Sequence, residues 1–291
     1  MHRLVFRNDR LLPLGEVNLS PGQAGLLNGW GLFTTMRIYD WQPFAFERHW
    51  QRLNRDAARI ELPLRYQFPA VSRALRQVIE SNAVQNGCAR IYFIYNKVGF
   101  WSSDEPFPVV DFLIYTNDLP TRIGPTALGV LEHGRHAAHP LAGVKVTSWL
   151  HNVWSLEQAH QRGFEEVILL NERNEVAECT AANIFLIRAG QLETPPLSSG
   201  CLAGVTREIL LELPPELGLP VIQRPLTLAE VYQAEEVFIT SSLREVQPVA
   251  RIEDHTVSQA PGPVTTRLAE AFSAFVGQSL ARPFVESETR S

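Results

Sequence analysis

Of the chain's 26 Lys+Arg residues only Lys97 and Lys145 are lysine, which leaves 26 − 2 = 24 arginines. That bias bears on chemistry, because a lysine can lose its proton and attack a carbonyl, whereas a guanidinium stays charged at any working pH. Any amine chemistry in this chain therefore has two candidates. Lys145 follows the small apolar run Ala142-Gly-Val and precedes Val146; Lys97 ends a strand pattern before Val98-Gly99 and reads as a solvated or substrate-facing cation. A second group of residues suits an anion. Gly204-Val205-Thr206 opens a helix pattern, where free amide N–H groups, the positive end of the helix dipole and the Thr206 hydroxyl can meet a phosphate. Taken alone, Thr206 also reads as an ordinary N-cap. Ser241 and Ser242, directly after the strand Val237-Phe-Ile-Thr240, make a further cluster of hydroxyls and amides, which alone is a polar turn.

Two other patterns carry less. Gly25-Leu-Leu-Asn-Gly-Trp-Gly31 has the order GxxxGxG and runs into a strand, so it is expected to be a tight turn and not a dinucleotide loop. His133, His136 and His139 are spaced by three, but Gly134 and Pro140 make the segment a loop without a carboxylate, so solvated or substrate-side histidines are expected and no metal.

The elements that must position these groups follow from periodicity. Leu4–Phe6 and Arg10–Leu12 around Asn8-Asp9 read as a hairpin, and Leu32–Tyr39 as a strand. Helices are expected over Glu47–Ile60, with Trp50, Leu53, Ala57 and Ile60 on one face, and over Ala70–Val84. Strands Ala89–Asn96 and Val109–Thr116 come next, then a polar, proline-broken stretch. Beyond it come the strand Leu128–Glu132 and a helix Thr147–Gly163 with Leu150, Val153, Trp154 and Leu156 apolar and Lys145 immediately before it. The strand Glu166–Asn171, the Val176–Ile187 region, a hairpin at Ala189-Gly190, helices from Val205, Leu228 and Pro263, and the strand Glu236–Thr240 complete the chain. Strands and helices without regular βαβ alternation indicate α+β.

At 291 residues and 45% hydrophobic content the chain can bury two cores. The division expected is an N-terminal domain over residues 1–118, a linker over 119–126 and a C-terminal domain over 127–291. A net charge of −5 argues against nucleic acid and anionic membrane as partners. Without an apolar leader or spanning segment, a cytoplasmic protein is expected. Three well-separated cysteines, Cys88, Cys179 and Cys201, suggest neither a disulfide framework nor a zinc site.

Pyridoxal 5′-phosphate presents three handles: an aldehyde for a lysine, a ring nitrogen and a dianionic phosphate. Lys145 suits the first, and the Gly204–Thr206 helix start suits the last. The runs Leu141-Ala-Gly-Val-Lys145, Glu165-Glu-Val-Ile-Leu-Leu-Asn171, Val176-Ala-Glu-Cys-Thr-Ala-Ala-Asn-Ile-Phe185 and Leu202-Ala-Gly-Val-Thr-Arg207, in this order, resemble the class IV aminotransferases. The resemblance spans nearly the whole chain. It implies fold type IV, with a small α/β N-terminal domain, a larger β-barrel-like C-terminal domain and a homodimer. It also implies that Lys145 is the Schiff-base lysine, Glu178 the acid at the pyridine nitrogen and Arg52 the phosphate arginine. Val205, Thr206 and Ser242 would complete the phosphate site, and Leu202 would lie under the ring.

The activity implied is transamination between an amino donor and a 2-oxo acid, with Lys145 as the base. A 4-amino-4-deoxychorismate lyase releasing pyruvate and 4-aminobenzoate is the alternative, since Phe33-Thr-Thr-Met-Arg37 and Glu178-Cys-Thr-Ala-Ala-Asn183 are similar to its patterns. A binding protein of the same fold without catalysis is the second alternative. Gln23-Ala-Gly25 and Asn96-Lys97-Val-Gly99 depart from the family's usual substrate-carboxylate motifs. Arg37, Tyr92, Lys97 and Arg135 are the candidate substrate contacts.

Overall fold

Asn8 and Asp9 take positive φ angles of 44° and 69°, the backbone that a two-residue hairpin needs. They close strand β1 (Leu4–Arg7) on β2 (Arg10–Pro13). The structure is a computed structural model and describes residues 1–19, 23–96, 108–121 and 124–281. The chain divides into two compact units. One comprises Met1–Thr121, Lys145–Trp149 and the stretch from Gly277; the other comprises Arg122–Val144 and Leu150–Val276.

In the first unit the Gly25–Gly31 segment is not a bare turn. It forms a short helix, α1 (Ala24–Asn28), ended by Gly29 in the left-handed region, and Gly31 lies so close to the Phe93 carbonyl that a Cβ would come within 2.6 Å of it. Then come β3 (Gly31–Tyr39), β4 (Gln42–Pro43), helices α2 (Phe46–Arg59) and α3 (Phe68–Ser81), β5 (Gly87–Tyr95) and β6 (Val110–Asn117). The six strands form an antiparallel sheet in the order β2-β1-β6-β5-β3-β4. Alternation sorts β3: Leu32, Thr34, Met36 and Ile38 are buried toward α2, while Phe33, Thr35 and Arg37 line the opposite face. Helix α2 buries Leu53 and Ala57 as its spacing predicts, but His49, Arg52 and Asp56 share that buried face.

The second unit holds β7 (Thr126–Leu131), helix α4 (Leu150–Gln161), β8 (Glu166–Leu170), β9 (Val176–Cys179), β10 (Asn183–Arg188), β11 (Gln191–Thr194), helix α5 (Val205–Glu212), β12 (Val221–Gln223), helix α6 (Leu228–Tyr232), β13 (Glu236–Ser241), β14 (Glu245–Ile252), β15 (His255–Thr256) and helix α7 (Pro263–Leu280). Its sheet runs β12-β11-β10-β13-β14-β7-β8-β9, with β15 on β14. Because β9 turns directly into β10 through residues 180–182, with Cys179 N–H donating to the Ala182 carbonyl, the end of the sheet curls back toward its middle. This is the barrel-like α+β architecture expected. The interior is aliphatic, built from Ile168, Leu170, Ile184, Leu186, Val237, Ile239 and Val249. Strand β14, which the sequence reading did not include, accommodates Pro248 opposite Phe238.

Two expectations change in detail. Lys145 does not sit immediately before a helix: Phe33 N–H donates to the Lys145 carbonyl at 3.1 Å, Thr147 N–H donates to the Gly31 carbonyl at 2.9 Å, and Val146 bridges Leu32, so residues 145–147 run along β3 as an added extended segment. The helix starts only at Leu150. Its apolar residues also point outward, with Leu150 79%, Val153 51% and Trp154 54% exposed, while Asn152, Ser155 and Ala159 are buried. The reason is polar: Asn152 donates to the Thr180 carbonyl and accepts from Arg135, which holds that side inward. No helix among the described residues is long and apolar enough to cross a membrane.

Candidate active site

Three polar residues on one face of α2 organise the candidate residues of the first unit. Spacings of three and four place His49, Arg52 and Asp56 in line. Asp56 Oδ2 accepts the Lys145 backbone N–H at 3.2 Å, which fixes the lysine's main chain. Burial pushes the Asp56 carboxyl up, and that hydrogen bond and the Arg52 charge offset it only in part. Arg52 Nη2 donates to Thr34 Oγ1 at 2.8 Å, and Thr34 Oγ1 lies 2.8 Å from His49 Nδ1. The Lys145 ammonium lies over the Phe33 ring, 4.4 Å from its centre, with Trp149 edge-on to Phe33 at 5.8 Å.

The register extends this arrangement across the sheet. Lys145 runs opposite Phe33, and Phe33 pairs with Tyr92, so the three lie in one cross-strand row. Phe33 stacks on Tyr92 at 5.3 Å and Tyr92 on Tyr115 at 5.6 Å. Thr35, Arg90 and Tyr115 form the neighbouring row. Arg90 hydrogen-bonds both phenols; burial works against its charge, but Tyr115 and Tyr92 outweigh that and raise its pKa. Burial first, then Tyr92, pushes the Tyr115 phenol up to about 12. The buried Arg90 Nε has no hydrogen-bond partner among the described residues. The same face therefore carries a phenol pair and a cation beside the lysine amine.

In the second unit, Glu178 is buried and held at both oxygens. Oε1 accepts from Arg135 Nε at 3.1 Å and Nη2 at 2.9 Å, and Oε2 accepts the Leu202 N–H at 3.0 Å. Asn183 gathers the remaining positions. It donates to the Leu202 carbonyl at 2.9 Å and pairs in register with Thr240, two residues before Ser242. A Cβ on Gly204 would come within 2.2 Å of Asn183 Oδ1, so only glycine allows the N-terminus of α5 to start there. Val205 and Thr206 are buried in the first turn of α5, where a helix leaves amide donors without intrahelical partners. The buried Thr240 Oγ1 has no hydrogen-bond partner among the described residues.

Among the candidate substrate contacts, Tyr92 lies in the Lys145 row. Arg37 lies four residues along β3 from Phe33, roughly 13 Å at strand rise, over the Tyr39 ring. Arg135, expected at the substrate, pairs with Glu178, to which the turn after β7 directs it. Lys97 lies outside the described residues. His49, Asp56, Thr34, Arg90 and Tyr115 escaped the sequence reading. Their signals were present: polar residues at helical spacing around Arg52, and strict alternation of Arg90 and Tyr92 with Ala89, Ile91 and Phe93.

Each unit holds groups of a kind that suits pyridoxal phosphate. The first unit offers an amine on a fixed backbone and a buried arginine. The second offers a carboxylate already held by two donors, as a partner for a ring N–H, and a glycine-started helix N-terminus beside unsatisfied buried hydroxyl Thr240, as suits a dianion.

Comparison with known proteins agrees. The family model described as Amino-transferase class IV matches residues 31–252. A branched-chain-amino-acid aminotransferase of Salmonella typhimurium is 29% identical over 290 residues, covering 94% of either chain. A D-alanine aminotransferase of Listeria innocua is 27% identical over 278 residues, covering 92% of this chain and 94% of that one. The crystal structure of a branched-chain aminotransferase from Thermoproteus uzoniensis with norvaline superposes with a TM-score of 0.87 at 27% identity, covering 96% of each chain.

Proposed function

Since this chain belongs to the class IV aminotransferases, we propose that it moves an amino group between an amino acid and a 2-oxo acid with Lys145 as its catalytic amine. The enzyme depends on pyridoxal 5′-phosphate, which when bound supplies the aldehyde that takes up the amine and a ring that delocalises the electron pair left at the substrate carbon. Lys145 Nζ takes the proton from the substrate Cα and returns it to complete the exchange. Glu178 is the partner for the ring nitrogen, and Arg135 and the Leu202 amide keep its carboxylate oriented. Arg52, Val205, Thr206 and Ser242 would hold the phosphate, and Leu202 would support the ring. Arg90, with Tyr92 and Tyr115, takes a substrate carboxylate.

One observation carries the reading: the described lysine lies beside Phe33 in a segment that two backbone hydrogen bonds and the Asp56 carboxylate hold in place. The relatives' names favour transamination over pyruvate release from 4-amino-4-deoxychorismate. Retention of Lys145, Glu178 and Arg52 together favours catalysis over a binding role. The exposed apolar residues of α4 support a homodimer, and the net charge of −5 supports a cytoplasmic enzyme.

The visible spectrum of the purified protein tests this. A protonated imine absorbs near ~410–420 nm, and an amino donor that converts the protein bleaches that band. Lys145→Ala is expected to lose both the band and transamination while unfolding at nearly the wild-type temperature. If Lys97→Ala loses them and Lys145→Ala does not, the catalytic amine is Lys97.

A further inference from the structure

We propose that Thr34 and His49 are positioning residues that set the guanidinium of Arg52 for the cofactor phosphate, through the relay Arg52 → Thr34 → His49. The inference rests on the reading of Arg52 as the phosphate arginine. Arg52 Nη2 donates to Thr34 Oγ1 at 2.8 Å, so that oxygen is already an acceptor. A hydroxyl has a single proton, and the other partner in reach is His49 Nδ1 at 2.8 Å. We assign His49 the tautomer protonated on Nε2, in which Nδ1 accepts the Thr34 hydroxyl proton and the Oγ1 lone pairs are left to Arg52. That direction requires a neutral ring; burial, then Arg52 and Lys145, hold the His49 pKa well below its ordinary value. Thr34 and His49 are 0% and 1% exposed, so water does not substitute for either partner.

The geometry gives the relay its purpose. An arginine side chain carries about 2 kcal/mol of rotamer entropy, and its fork binds phosphate well only when held in place. A lone threonine hydroxyl rotates and offers little restraint. With its proton directed to His49, its lone pairs are left facing Arg52, and the guanidinium is set before the dianion arrives. Strand β3 and helix α2 bring the three groups together: His49 and Arg52 are three residues apart on the helix, and Thr34 is on the strand face beneath it.

The test uses the protein in its pyridoxamine form, prepared by treating the holoprotein with excess amino donor, because retention then depends on noncovalent contacts. Dissociation constants are measured for pyridoxamine phosphate and for pyridoxamine without the phosphate. Thr34→Val is expected to weaken pyridoxamine phosphate by about tenfold, the scale seen when outer partners of a ligating group are removed, and to leave pyridoxamine unchanged. Thr34→Ser, which keeps the hydroxyl, restores phosphate-dependent affinity. His49→Phe repeats the Thr34→Val result and serves in its place if that variant does not fold. The relay is overturned if Thr34→Val weakens both ligands equally, or if Thr34→Ser binds as poorly as Thr34→Val, since packing alone would do either. Arg52→Gln separates the two readings: if it leaves pyridoxamine phosphate affinity intact, the assignment of Arg52 to the phosphate fails first.

Discussion

Arg90 and Arg135 show how far a residue's role depends on its neighbours. In the second unit Arg135 is tied to Glu178 and Asn152, while in the first Arg90 meets two phenols that raise its pKa. A charged hydrogen bond is worth about 1.5–3 kcal/mol, or roughly 10- to 100-fold in rate or affinity. Arg90→Leu is therefore expected to lower kcat/KM for amino-acid donors by about that factor, mostly through KM. The same variant should act on an amine without a carboxylate as the wild type does. Equal losses for both donors would show that Arg90 supports the sheet and not the substrate.

Helix α2 carries the candidate residues of the first unit, and its polar inner face has a consequence for stability. His49 faces Arg52 and Asp56 on its own helix, Thr34 on β3 and Lys145 on the added segment. Its folded-state pKa is depressed from 6.5. The stability that this shift contributes is fully present above about 6.5 and is lost as pH falls toward the lowered folded value, because the unfolded chain takes up the proton first. His49→Gln removes that dependence. The gap in melting temperature between wild type and His49→Gln should therefore shrink from pH 8 to about pH 5. A gap that stays constant would mean that the ring titrates as it does in the unfolded chain.

At the scale of the whole molecule, α4 presents Leu150, Val153 and Trp154 to solvent, an arrangement that a monomer has little reason to keep. The proposed homodimer covers them. Light scattering should give a mass near twice 32.7 kDa. The double variant Val153→Glu and Trp154→Glu should shift it toward the monomer. An unchanged dimer would place the interface elsewhere.

The sequence by itself determined the family, the hairpins, the strand and helix periods, and the positions of Lys145, Glu178, Arg52 and the α5 start, because these depend on residue type and short-range spacing. The left-handed turn at Ala189-Gly190 and the start of α6 at Leu228 are of this kind, set by local backbone preference and by the Thr227–Glu230 capping box. Tertiary structure alone decided the rest. That Lys145 pairs with β3, that α4 turns its apolar side outward, that Arg135 serves Glu178 and that Arg90 joins Tyr92 and Tyr115 all depend on which distant strands and helices become neighbours. A periodic pattern says which residues share a face. It does not say what that face meets, because contacts between residues far apart in the chain are chosen by the packing of the whole fold.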